Sequence, residues 1–314
     1  MRRLIAGLAL ALAAGSACAQ AVTRIIVPFA AGGVQDILAR AISSELGTAI
    51  GRTVIVENRA GAGGTIGTAL VAKSPPDGHT LVLAAASHTI NGSLHAKLAY
   101  DPIRDFSGVA HIGTVEYVLM IHPSIPAKTV REFVDYARAR PGKLNYSTAG
   151  VGTATHLSMA YFASLAGIDM VHVPFKGTNE AVSEVLAGRA DAVIAANISA
   201  LSFTKDSRVR MLAVTSAKRS KFLPDLPTIA DSGVPGYEFD SWLGLLGPAG
   251  IPKATVDEIN LAVASLLRDP VILERLSKQG IEPQALSPEA FDALLRADFE
   301  KMARIVKASG ARVE

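Results

Sequence analysis

The sequence predicts an α/β protein of two lobes with a cleft between them. Three observations carry that prediction. Short β-branched runs alternate with segments of helical period, and glycine turns join them, which is the pattern of parallel sheets covered by helices. A strand, a glycine loop and an amphipathic helix follow one another twice, at 24–47 and at 144–167. After Pro248 the pattern changes to helices only, and helices without a strand must pack back on an earlier unit.

The N-terminus precedes the fold. Arg2 and Arg3 stand before an apolar run, 4–14, that is too short to span a bilayer. Ala17-Cys18-Ala19 fits a small-residue cleavage site. This predicts an export signal over 1–19 and a periplasmic protein. Cys18 also raises lipid attachment, but Gly15 stands where a lipobox carries Leu. Removing 19 of the 314 residues leaves 295 and no cysteine, so an exported chain must rely on its core. Loss of Arg2 and Arg3 leaves +1 of the formal +3 charge, and no Lys/Arg cluster supports a nucleic-acid partner. No later apolar run reaches ~18 residues.

The first unit reads as strand 24–27, helix 36–46, strand 53–56, helix 65–73 and strand 80–85. Ile37, Leu38, Ala41, Ile42 and Leu46 form one apolar stripe on the first helix. Ser74-Pro75-Pro76-Asp77-Gly78 ends the second. The second unit reads as strand 115–121, helix 129–140 stopped by Pro141-Gly142, and strand 144–148. A helix with Leu157, Tyr161, Phe162 and Leu165 on one side follows. Strand 170–173, helix 179–187 and strands 192–195 and 209–215 complete the unit. In the tail, Thr255-Val256-Asp257-Glu258 reads as a capping box opening a helix to 267. Ser287-Pro288 caps a last helix running to about 308, and Gly310 suits its C-terminal end. These elements divide the chain into a first domain, 20–114 with 248–314, and a second, 115–247. The chain crosses between them near 115–122 and 242–248, and two crossings make a hinge.

Function is read from the glycine loops. Gly32 and Gly33 let the backbone approach a ligand, and the helix start beyond them offers unpaired N–H groups and a positive dipole end. No Arg or Lys occurs in 25–39 or 144–171, so an anion here is held without side-chain charge. The loop 148–155 is the counterpart of 29–35, and two such loops facing across a cleft form a clamp for an organic anion. Ser147, Thr148, Thr153 and Thr155 either donate to that ligand or cap the helix at His156. Asp36 either complements the helix dipole or, turned inward, pairs with an ammonium group. Ser87, His88 and Thr89 follow a strand end, where α/β sheets bind ligands, and are candidate contacts or ordinary loop bonding.

Other chemistries lack their motifs. Gly61 and Gly63 begin a dinucleotide fingerprint, but Ile66 occupies its third glycine position. There is no G-x-S-x-G, no H-E-x-x-H and no cysteine pair, so neither a hydrolase nor a metal site is supported. A sensory receptor that presents its closed form to a membrane kinase would share fold and ligand, and a partner pull-down would separate it from a transport protein.

Several stretches together resemble one family. "IIVPFAAGGVQDILARAI", "VIVENRAGAGGTIGTALVAKSPPDGHTLVL", "LNYSTAGVGTATHL", "VPFKGTNEAVSEVLAGRADAV", "LPDLPTIADSG" and "WLGLLGPAGIP" are similar to the Bug family, extracytoplasmic solute receptors of the tripartite tricarboxylate transporter type. The resemblance covers nearly the whole mature chain. It implies a type II periplasmic-binding-protein fold, no catalysis and no cofactor. It implies a carboxylated ligand: a di- or tricarboxylate, an acidic amino acid or an aromatic acid. Carried over residue by residue, the contacts are Phe29, Ala31, Gly32, Gly33, Val34, Gln35 and Asp36, facing Ser147, Thr148, Gly152, Thr153 and His156. Gln35 departs from the family, where a small residue or Thr is common. The implied partners are two membrane subunits, one large and one small, and the receptor is expected as a monomer.

Overall fold

The computed structural model describes residues 22–311. The export segment read at 1–19, with Cys18, lies outside them. The first lobe starts with β1 (Val22–Val27), α1 (Val34–Ala49), β2 (Thr53–Asn58), α2 (Thr65–Ala72), β3 (Thr80–Ala85) and α3 (Ser87–Leu94). β1 pairs in parallel with β2 on one side and β3 on the other. Strand alternation sorts the core. Ile25 and Val27 join Leu38, Ile42 and Leu46 of α1, while Ile26 joins Val71 and Val82 on the opposite face.

β4 (Phe106–Ile121) leads into the second lobe: α4 (Val130–Arg138), β5 (Asn145–Thr148), α5 (Ala154–Ala166), β6 (Val171–Pro174), α6 (Thr178–Leu186), β7 (Ala192–Ala196), α7 (Asn197–Leu201) and β8 (Arg210–Val214). The chain returns through β9 (Asp240–Pro248) to α8 (Lys253–Leu266), α9 (Pro270–Lys278), β10 (Ile281–Pro283) and α10 (Pro288–Ser309). The strands form one hydrogen-bonded path, β2-β1-β3-β9-β4-β7-β5-β6, with β8 and β10 also paired to β4.

β4 belongs to both lobes. Phe106 to Glu116 pair antiparallel with β9, and Tyr117 to Ile121 pair with β7. The return crossing is as abrupt. Phe239 N–H donates to Thr215 O (2.9 Å) in the second lobe, while Asp240 already pairs with Glu116. Since β9 is also bonded to β3, we propose the lobe boundary at 239–240, which moves 240–247 into the first lobe.

Four local readings change. Ser87, His88 and Thr89, read as loop residues past a strand end, open α3; six of its eight residues are buried, so no amphipathic stripe announced it. The tail is not helical throughout, because β10 pairs with β4 through Ile281 and Val115. α8 starts at Lys253 behind Pro252 with no side-chain cap, which leaves Thr255 inside the helix rather than before it. α10 packs on both lobes, and Ser164 Oγ of α5 donates to Ala308 O (2.7 Å). Its ends are as read: Ser287 Oγ accepts from Ala290 N–H (3.2 Å), and Gly310 closes it at φ +65°.

Candidate functional site

Three strand-to-helix junctions converge on one cavity. In the first, β1 ends and the chain turns through Gly32, whose φ of +82° suits glycine. Gly32 N–H donates to Asp36 Oδ2 (2.9 Å), and Arg40 Nε pairs with Asp36 Oδ1 (3.0 Å). Burial pushes the Asp36 carboxyl up, but the bonds from Arg40, Gly32 and Asn58 outweigh it and hold it below the usual carboxylate range. Asp36 thus ties the loop to the first turn. The N-cap, Gly33, supplies no side-chain bond, so the first N–H groups of α1 keep their donor capacity.

The second junction joins β5 to α5. Thr153 caps the helix by accepting from His156 N–H (3.3 Å), and its hydroxyl donates to Gly150 O (2.6 Å). Thr155 Oγ1 accepts from Ala149 N–H (2.9 Å). The third joins β6 to α6, where Gly177 is an extended N-cap without a side-chain bond. Lys176 N–H donates to Glu180 Oε2 (3.1 Å), which occupies that carboxylate.

The cavity between these helix starts measures about 160 Å³. Its floor is a row of strand residues. Ala85 pairs with Leu243 across β3 and β9, Tyr117 pairs with Ala196 across β4 and β7, and Val115 lies between on β4. Burial pushes the Tyr117 phenol up, so it stays neutral. Among the described residues, Lys176 is the one cationic side chain lining the cavity, and it is exposed.

The lobes meet around the cavity. Asn179 Nδ2 of α6 reaches Gly32 O (3.4 Å) in the first lobe. On the other side Gly63 lies against Val151, and Asn91 against Gly152, so closely that a Cβ on either glycine would overlap its neighbour. The lobes therefore touch on both sides of the cavity.

Phe29, Ala31, Gly33, Val34 and Gln35 of the first loop line the cavity, as do Ser87, Thr153 and Thr155. The other expected residues stand behind or beside it. Gly32 and Asp36 bond to each other. His88 is buried among Tyr100, Phe106 and Trp242 with Nε2 on Pro102 O (2.8 Å), and burial lowers its pKa to about 4. Thr89 Oγ1 donates to Asp298 (2.6 Å). Ser147 Oγ donates to Ala181 O (2.7 Å), under α6. Thr148 meets His172 Nε2 (2.6 Å), and His156 stacks on the same ring with centroids 4.3 Å apart. Gly152 faces Asn91.

Sequence reading passed over the third junction, Lys176 to Glu180, although Gly177 before a helix was its signal. It also passed over the floor, because an apolar strand residue facing a cavity looks in sequence like one facing the core.

A family model described as the tripartite tricarboxylate transporter family receptor matches residues 38–311. The chain belongs to this family. Its members are solute-binding receptors, not enzymes. The receptor is 36% identical over 313 residues to a UPF0065 protein from the tcbD–tcbE intergenic region of Pseudomonas sp. strain P51, covering 97% of this chain and 93% of that one. It is 30% identical to protein BugT of Bordetella pertussis, covering 93% and 90%. Among solved structures, R. palustris Rpa4515 with adipate superposes with a TM-score of 0.87 at 33% identity, covering 93% of the receptor and 98% of that chain. The periplasmic binding protein BugD gives 0.87 at 32%, covering 93% and 99%. MatC of Rhodopseudomonas palustris with bound malate gives 0.84 at 30%, covering 91% and 98%. The fold is therefore the mixed α/β fold of periplasmic binding proteins.

Proposed function

We propose that the receptor captures a small organic acid in the periplasm, holds its carboxylate between the first turns of α1, α5 and α6, and presents the closed complex to the two membrane subunits of a tripartite transporter. One observation carries this reading: helix starts from both lobes converge on the same cavity. Unpaired first-turn N–H groups and aligned dipoles favour an anion there. A ligand that touches both lobes stabilises the closed state because only that state offers all its contacts. Two solved relatives, with adipate and with malate, support an acid as the ligand class. Phe29, Ala31, Gly33, Val34, Gln35 and Thr153 are the contacts this reading retains, and Gly32 and Asp36 shape the loop that presents them.

The test is calorimetry on receptor stripped of endogenous ligand by unfolding and refolding. The panel holds benzoate, hexanoate, adipate, malate and citrate, with benzamide and hexanamide as neutral counterparts. At least one acid should bind, and benzamide and hexanamide should bind at least about a hundredfold more weakly than benzoate and hexanoate. Absence of binding by every acid, or equal binding of acid and amide, refutes the reading.

A further inference from the structure

We infer that the ligand is a monocarboxylate with an uncharged apolar body of about benzene size, carboxylate toward the helix starts and body on the floor. The inference rests on the proposed reading of the site and narrows its ligand class. Three features of the cavity support it.

The first is where charge is available. Among the described residues lining the cavity, Lys176 is the one cation, and it is exposed. Glu180, the one carboxylate among them, repels a second anion rather than receiving it. The donors that suit a carboxylate are the first-turn N–H groups of α1, α5 and α6, all on the walls.

The second is the floor. Ala85 and Leu243 pair across β3 and β9, Tyr117 and Ala196 pair across β4 and β7, and Val115 precedes Tyr117 by two residues on the same face of β4; all five line the cavity. Strand alternation explains why this row is free of charge. Glu116, between Val115 and Tyr117, turns to the other face, where Ser216, Ser220 and Asn197 donate to it. A second carboxylate reaching the floor would lose its water with no ionic partner, and burying an unpaired charge is strongly unfavourable. Tyr117 and Ser87 are the neutral polar groups there, so an uncharged substituent is tolerated.

The third is size. A cavity of about 160 Å³ is close to the ~150 Å³ apolar cavity that admits benzene. The floor therefore disfavours citrate-like acids by charge.

The experiment compares four probes on stripped receptor: benzoate, hexanoate, adipate and citrate. Benzoate or hexanoate should bind at least about tenfold more tightly than adipate, and citrate should bind most weakly. The double variant V115T/A196S adds two floor hydroxyls with little change of shape. It should narrow the ratio of monoacid to adipate affinity by about threefold or more. Adipate or citrate binding as tightly as the best monoacid overturns this inference while leaving the carboxylate site standing. A double variant that folds and keeps the wild-type ratio also overturns it, because the floor then does not set selectivity. If malate alone of the wider panel binds, this inference falls and the carboxylate site stands; if none of the five acids binds, both fail.

Discussion

Replacing Gly63 by Ala tests whether the lobe seam controls binding. Gly63 sits in the first lobe at φ +62°, and a Cβ there would overlap the carbonyl oxygen of Val151 across the seam. To regain van der Waals separation the two lobes must recede by about 1 Å at this edge. Hydrogen bonds to a ligand that spans the lobes, ~2.7–3.2 Å when well made, then stretch toward the distance at which they fail. Losing one such bond to a carboxylate, at about 1.5–3 kcal/mol, lowers affinity by roughly tenfold to a hundredfold or more. The substitution has a second cost, about 1–2 kcal/mol for a side chain in left-handed backbone. Gly51→Ala separates the two effects. Gly51 has φ +63°, but a Cβ there meets nothing within 4 Å. Both variants should therefore melt a few degrees early, and only Gly63→Ala should bind the tightest acid of the panel more weakly by calorimetry. Equal affinity in the two variants would refute the role of the seam.

Gly33→Val should abolish acid binding with little change in melting temperature, because Gly33 lines the cavity and a Cβ there meets only Ala30 O, at 3.6 Å; retained affinity by calorimetry counts against the site. Lys176→Met should weaken acid binding by about two- to tenfold and flatten its salt dependence, as expected for an exposed rim charge, with an unchanged salt slope as the contrary result. Asp36→Ala should cost about 1–2 kcal/mol in unfolding, since it removes the acceptor for Gly32 N–H and the partner of Arg40; denaturant titration measures it, and no loss would show that the loop holds itself. The stability profile should fall on the acid side. His88, His156 and His172 have pKa values lowered from 6.5 to about 4, each chiefly by burial. The unfolded chain takes up these protons first, so stability is complete above pH ~6.5 and declines toward pH ~4. A melting temperature flat across that window contradicts the buried neutral state of these rings.

How much of this was legible in the sequence depends on what each residue announces. Gly32-Gly33 before the stripe of α1 marked both a loop and a helix start, because that geometry needs glycine at Gly32 and an apolar face from Leu38 to Leu46. Thr80–Ala85 was read to the residue, since the Asp77-Gly78 turn bounds its start and the apolar run ends at Ala86-Ser87. α3 was not legible: it is surrounded by protein, so burial left no polar face to set its period. The hinge was half legible. β4 was seen from 115 on, but its first part, through Phe106 and Gly108, is defined by pairing with β9, a contact far apart in sequence. At the site, the glycines and threonines pointed to the clamp, while Ser147, Thr148 and His156 turned out to serve packing behind it. A hydroxyl or imidazole suits either role, and only the fold decides which way it faces.

The central claim is that one carboxylate is gripped at once by helix starts from both lobes. Backbone amide NMR during titration with the tightest-binding acid tests it most directly. The first-turn amides of α1, at Val34 and Gln35, should shift together with those of α5, at Ala154 and Thr155, and of α6, at Thr178 and Asn179, along one binding curve. Shifts confined to one lobe, or binding that leaves these amides unmoved, would contradict the account.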